Sequence, residues 1–146
     1  MTARPSILLI EDSPGECELF HMALMQSETG LSLHTESEID GALLFLAQCS
    51  EHGNLPSVIL LDLKLRNQHG LDFLKRLRAD RLLRHVPVIV FTTSDAPADL
   101  AACYAAGANG YVVKPGLFEH LVRFASDLSH YWIHWNRSPH TVETRC

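Results

Sequence analysis

Val58-Ile59-Leu60-Leu61-Asp62 is a run of four apolar residues, two of them β-branched, that ends in a single carboxylate. So apolar a run suits a strand covered on both faces, as in a parallel sheet, and the carboxylate marks where the chain leaves the hydrophobic layer. Three other stretches repeat the pattern. Ile7-Leu8-Leu9-Ile10 ends in Glu11-Asp12, Val88-Ile89-Val90-Phe91 in Thr92-Thr93-Ser94, and Tyr111-Val112-Val113 in Lys114-Pro115. Parallel strands bring these polar ends to one edge, where open α/β sheets place their sites.

Between the strands the chain reads as helices. Asp12-Ser13-Pro14 opens the first: Ser13 suits the N-cap and Pro14 the first helical position. Leu19, Met22 and Ala23 are expected on its inner face, with Glu16 and Glu18 outside, and Gly30 stops it. Leu31 to Thr35 alternates as an edge strand does. A second helix, capped by Ser37 or Asp40, carries Ala42, Leu43, Phe45, Leu46 and Cys49 before Gly53-Asn54-Leu55-Pro56 breaks it.

After the loop from Leu63 to Gly70, a third helix turns Leu71, Phe73, Leu74 and Leu77 inward and Lys75, Arg76 and Arg78 outward. A fourth starts at Ser94 or Asp95 with Pro97 in its first turn, and closes at Gly107-Ala108-Asn109-Gly110. The last runs from about Leu117 to Trp135. The order is β-α five times, which argues a doubly wound parallel sheet of five strands with helices on both faces. One domain spans residues 5–135, and a polar tail, 136–146, is expected to fray.

Bulk properties narrow the function. A chain of 146 residues, 47% apolar, holds one sizeable core. A net charge of −5 argues against general binding to nucleic acid or anionic membranes. No apolar run approaches the ~20 residues that span a bilayer, and Met1 to Pro5 lacks a signal-peptide layout. Cys17, Cys49, Cys103 and Cys146 show no CxxC pairing, so free thiols in a reducing cytoplasm are expected. His130 and His134 are four apart but lack the HExxH pattern and a third ligand, and are read as surface or interface residues.

The strand ends carry the chemistry. Asp12 and Asp62, with Glu11 beside them, repel one another unless a cation lies among them. Few protein oxygens, with water completing the shell, is how Mg²⁺ is held. A carboxylate in that setting can attack phosphorus and form an aspartyl phosphate. Lys114 offers a positive charge and Thr92 a hydroxyl for the phosphoryl oxygens.

Five segments together resemble the response-regulator receiver domain of two-component signalling. They are Ile10-Glu11-Asp12, Leu60-Leu61-Asp62, Gly70 eight residues after Asp62, Val90 to Ser94, and Gly110 to Pro115. Asp40-Gly41 with Phe45-Leu46, the Thr92-Thr93-Ser94 run, and Tyr131-Trp132 with Pro139 beyond them are similar to single-domain regulators paired with phytochrome-type histidine kinases.

The resemblance implies a flavodoxin-like sheet of order 2-1-3-4-5. It implies Asp62 as acceptor of phosphate from a kinase histidine. Mg²⁺ would lie on Asp12, Asp62 and the Lys64 backbone carbonyl, with Glu11 reaching it through water. Thr92 and Lys114 would hold the phosphoryl group, Thr92 and Tyr111 would act as the switch, and the Lys114-Pro115 bond would be cis. Slow self-dephosphorylation is implied too. The chain is thus expected to be a signalling protein rather than an enzyme, with its output a contact to a downstream protein.

Two positions depart from the family pattern. Arg66 stands where proline is usual, which favours a more mobile loop. His69 stands where aspartate is frequent. Lys64 occupies the position that influences water access, so its charge is expected to tune phosphate lifetime.

Three other readings compete. A phosphorylation-independent pseudo-receiver predicts a missing acceptor, acid pair or lysine, and all are present. An aspartyl-phosphate phosphatase wants a second aspartate two residues after the nucleophile, where Lys64 stands. A flavin carrier wants a phosphate cradle after strand one, where two acids stand.

The last helix, at about 28 Å, exceeds the ~17–20 Å strands it covers. Leu121, Ala125, Leu128, Trp132 and Trp135 form its stripe, widened by Phe124 and Tyr131. Its overhanging aromatics are expected to form a homodimer with a second copy.

Overall fold

The computed structural model describes residues 5–139. Its main sheet contains β1 (Ser6–Ile10), β2 (Ser32–Glu36), β3 (Val58–Leu61), β6 (Val88–Thr92) and β7 (Gly110–Val113). All neighbours are parallel in the order β2-β1-β3-β6-β7, which is the 2-1-3-4-5 order of the five main strands. The expected flavodoxin-like strand order is therefore present. A two-stranded antiparallel ribbon, β4 (Lys64–Leu65) and β5 (Gln68–His69), follows β3.

The helices are α1 (Pro14–Gln26), α2 (Ile39–Glu51), α3 (Gly70–Ala79), α4 (Pro97–Ala105) and α5 (Phe118–Ser129). Alternation along the strands sorts the core into layers. Leu8, Ile10, Ile59, Leu61 and Val88 pack with Ile39, Ala42 and Leu46 of α2 and Phe73, Leu74 and Leu77 of α3. Ile7, Leu9, Val58, Leu60, Ile89 and Phe91 face the other way, onto Phe20 and Leu24 of α1 and Ala125 and Leu128 of α5. Every residue of β3 is buried, as a central strand covered on both faces requires.

Several local expectations shift. The inner face of α1 is Phe20, Ala23 and Leu24, while Leu19 and Met22 are exposed. Phe20 decides this rotation by packing on Phe91, which in turn stacks on Phe124 of α5 at 4.9 Å. Neither Ser37 nor Asp40 caps α2. Its N-cap is Glu38, and the Ile39 N–H is satisfied from a distance by Gln68 Oε1 at 3.0 Å. On α4 the N-cap is Ala96, with Pro97 in the first turn.

Arg78 is not an outward charge. Its guanidinium donates to Gly107 O, Arg84 O, Val86 O and Asn109 Oδ1 at 2.8–3.0 Å, tying α3 to the loops that lead into β6 and β7. The Lys114-Pro115 bond is trans, not cis. Trans is the intrinsically favoured isomer.

The last helix does not run as one α-helix to Trp135. From His130 to Trp135 it widens into π-helical winding, with Asn136 N–H donating to Tyr131 O at 2.7 Å. Trp132 packs against the α1/α5 core, while Tyr131 and Trp135 stand exposed, Trp135 by 77%. Of the tail from 136, residues 140–146 lie outside the described residues, and Ser138 is buried.

The ribbon between Asp62 and α3 is tightly closed. Asn67 takes φ +59° at its turn, and Gly70 N–H donates to Leu63 O at 2.8 Å. His69, where aspartate is frequent, caps α3 by accepting the Leu71 N–H on Nδ1 at 3.1 Å. A Cβ on Gly70 would lie 2.3 Å from the Asp62 carbonyl oxygen. Neighbouring backbone must therefore move for any side chain there. Gly70→Ala should cost about 1–3 kcal/mol of stability, whereas Gly116→Ala, with open space at its Cβ, should be near neutral. Urea unfolding of the two variants checks the contrast.

Candidate functional site

The strand ends converge at one edge. Asp62 N–H donates to Ile10 O at 3.1 Å, so Asp62 leaves β3 beside Glu11, which leaves β1. Lys114 N–H donates to Thr92 O at 2.7 Å, placing the lysine where β6 and β7 both end. Its side chain then crosses the edge. Lys114 Nζ lies 3.0 Å from Asp62 Oδ2, 3.4 Å from Glu11 Oε1, and in closest contact with Glu16 Oε2. The ammonium also sits 5.8 Å from the Phe91 ring centroid. Glu11 and Asp62 are buried, at 4% and 7% exposure, and the Lys114 side chain is nearly so.

Glu16 is the residue that sequence reasoning missed. It was expected outside, yet oxygens of Glu11, Glu16 and Asp62 all lie within 4.8 Å of one another. Ser13 Oγ accepts the Glu16 N–H at 3.3 Å, fixing the first turn of α1 so that the side chain reaches the edge. The Ser13-x-x-Glu16 spacing of a capping box was the available signal, because it puts the acid at the helix start. Asp12 stands outside this trio. It is half-buried and lines the groove between α1 and β2 with Glu11 and Cys17.

The charges are unevenly held. Burial, then contacts with Asp62 and Glu16, push the Glu11 carboxyl up to about 10, against the pull of Lys114. Burial works to raise Asp62, but its contacts with Glu11 and Lys114 outweigh it and hold the carboxyl below its usual range. Burial likewise opposes charge on Lys114, but Glu16 and Asp62 hold its pKa above the usual value. Contact with Glu11 lowers that of Glu16. The result is an ionised Asp62 beside a cation.

The remaining expected residues surround this centre. Lys64 N–H donates to Asp62 Oδ1 at 3.3 Å, and Lys64 itself is exposed at the start of the ribbon. Thr92 is fully buried, and its hydroxyl accepts the Ser94 N–H at 3.4 Å. The Tyr111 hydroxyl donates to Ser94 O at 2.9 Å, while its ring packs with Leu63, Val90 and Cys103. Thr92 and Tyr111 therefore share one partner residue, Ser94. Cys17, Cys49 and Cys103 are free thiols, and Cys146 lies outside the described residues.

The donor set fits a hard divalent cation. It is all oxygen, it carries excess negative charge, and Glu11 Oε2 is buried with no hydrogen-bond partner. A buried carboxylate oxygen left unpaired is costly, and a cation would satisfy it.

Comparisons with known proteins show what the chain is similar to. Residues 7–125 match the model of the response regulator receiver domain. The probable methanogenesis regulatory protein FilR2 of Methanothrix harundinacea is 37% identical over 91% of this chain and 86% of its own. Response regulator Rcp1 of Synechocystis is 31% identical over 87% of this chain and 88% of its own. A solved Mn(2+)-bound form of Rcp1 superposes with a TM-score of 0.78 at 29% identity, over 92% of this chain and 99% of that one. The phosphorylated cyanobacterial phytochrome response regulator RcpA gives a TM-score of 0.82 at 28% identity, over 94% and 99%.

The raised Glu11 carboxyl makes stability depend on pH. Unfolded, it ionises near its usual 4.5; folded, near 10. Within that window the folded chain binds more protons, so the contribution present below pH 4.5 is lost as pH rises. With divalent ions chelated, the melting temperature of the wild type should fall relative to Glu11→Gln between about pH 5 and about pH 9. Parallel melting curves across that range would disprove the assignment.

Proposed function

The chain belongs to the response regulator receiver domain family, and on that premise we propose that it accepts a phosphoryl group on Asp62 from a histidine kinase. The supporting observation is an ionised, buried Asp62 held 3.0 Å from Lys114 Nζ beside an orphaned Glu11 oxygen. An Asp62 carboxylate oxygen attacks the phosphorus of a phosphohistidine. The P–O bond to Asp62 forms as the P–N bond breaks, and the imidazole leaves with the electron pair. Lys114 follows the phosphoryl oxygens, and Thr92, at the end of the next strand, donates its hydroxyl to them. Asp12, Asp62 and the Lys64 carbonyl, with Glu11 through water, would hold Mg²⁺, which supplies charge neutralisation at the transferring group.

The switch follows from shared partners. Drawing the Thr92 hydroxyl toward a phosphoryl group takes it from the Ser94 N–H, and Ser94 O is what anchors Tyr111. Tyr111 then changes position and alters the surface of β7, α4 and α5, where Val113, Leu100 and Tyr104 are exposed. The output is a contact with a downstream protein, and slow hydrolysis of the aspartyl phosphate resets it.

Similarity to RcpA and Rcp1 supports a phytochrome-type kinase as donor. Three unpaired cysteines are in keeping with a cytoplasmic setting. Among the described residues no helix is long and apolar enough to cross a membrane. The exposed Tyr131 and Trp135 support a homodimer through the end of the last helix.

Incubated with acetyl phosphate and Mg²⁺, the wild type should gain the mass of one phosphoryl group, and Asp62→Asn should gain none. Equal labelling of both removes Asp62 as acceptor. Lys64→Asn should change the decay rate of the phosphorylated form, and an unaltered rate removes the role given to its charge. Sedimentation of Tyr131→Ala/Trp135→Ala should show monomer, and a dimer as stable as the wild type rules this surface out.

A further inference from the structure

Lys114 makes one contact that the phosphotransfer reading does not use. Of its three carboxylate partners the nearest is Glu16, which comes from α1 rather than from a strand end. An ammonium has three N–H donors, and here three carboxylates take them. Two of these belong to the divalent-ion site proposed above, Asp62 as a direct ligand and Glu11 through water. Their backbones are fixed at the strand ends and their side chains are buried, so each can turn its oxygens but not leave the site. Glu16 differs. It sits on a capped helical turn, with its side chain 43% exposed, and so has room to move with the lysine. Glu11 Oε2 is buried without a hydrogen-bond partner and so is open to a divalent ion.

We propose that Glu16 is a positioning residue for Lys114: its carboxylate keeps the ammonium in the site when Glu11 and Asp62 turn their oxygens to a divalent ion. The proposal rests on the metal-dependent reading above. Without Glu16, the ammonium has only Glu11 and Asp62 as partners and competes with the ion for them. With Glu16, the ammonium keeps a partner and stays within reach of the group that Asp62 later carries.

A double-mutant cycle read by Mn²⁺ electron paramagnetic resonance tests this without any phosphorylation step. Full-length wild type, Glu16→Gln, Lys114→Ala and the double variant are titrated, with thermal melts to confirm folding. Glu16→Gln should weaken Mn²⁺ binding about tenfold, in line with coupling inside one charge network. Glu16→Asp should keep part of the affinity. In the Lys114→Ala background the Glu16→Gln loss should shrink to about twofold, because no ammonium remains to be held. Glu18→Gln, an equal charge change on the outer face of α1, should leave binding unchanged.

Equal losses from Glu16→Gln in both backgrounds would make Glu16 an extra carboxylate for the ion and overturn the proposal. No loss in either background overturns it as well. A wild type that binds no Mn²⁺ overturns the metal-dependent phosphotransfer reading together with this one, whereas normal binding with uncoupled Glu16 overturns this one alone.

Discussion

The ammonium of Lys114 among three carboxylates is the interaction on which the rest of the edge depends. Two of those acids are more than nine-tenths buried, and a buried charge is tolerated only when paired. The lysine supplies the pairing in the ion-free chain. It also explains why the acids differ: Asp62, donated to by Lys114 and Lys64 N–H, stays ionised, while Glu11, more deeply buried and crowded by Asp62, is driven toward its neutral form. A nucleophile needs the first condition, and a bound cation would relieve the second by favouring the ionised carboxylate.

The fold delivers that arrangement with little freedom. Register fixes Glu11 against Asp62, because Ile10 pairs with Leu61 across β1 and β3. Lys114 is fixed against Thr92, because Val113 pairs with Thr92 across β7 and β6. The ribbon after Asp62 is clamped from below by Gly70, whose missing Cβ lets α3 start against the Asp62 carbonyl. Gln68 reaches from this ribbon to the first N–H of α2, a helix whose own N-cap makes no side-chain bond. The loop after Asp62 is thus braced to two helices, even though Arg66 stands where proline was expected.

Away from the edge, the same economy appears in Arg78. One half-buried guanidinium satisfies carbonyls in two loops and shares Asn109 with the first N–H of β6. Burial lowers its pKa, and four hydrogen bonds offset the desolvation. It holds the end of the sheet opposite the acids, so the edge chemistry rests on a frame fixed at both ends.

Strands and the residues at their ends were legible in the sequence, because apolar runs that stop at Glu11, Asp62, Thr92 and Lys114 record burial directly, whereas the strand order was implied only by the resemblance. Helix faces were less legible. Leu19 and Met22 match Phe20 and Leu24 in hydrophobicity, and only the aromatic contact with Phe91 selects which pair turns inward. Glu16 and Arg78 read as surface charges, since a sequence shows polarity but not the carbonyls or ammonium a long side chain can reach. The π-winding after Ser129, which separates a packed Trp132 from an exposed Trp135, follows from backbone hydrogen bonding and not from residue type. Local chemistry determined which groups this chain brings to one edge, and packing across the sheet decided which of them touch.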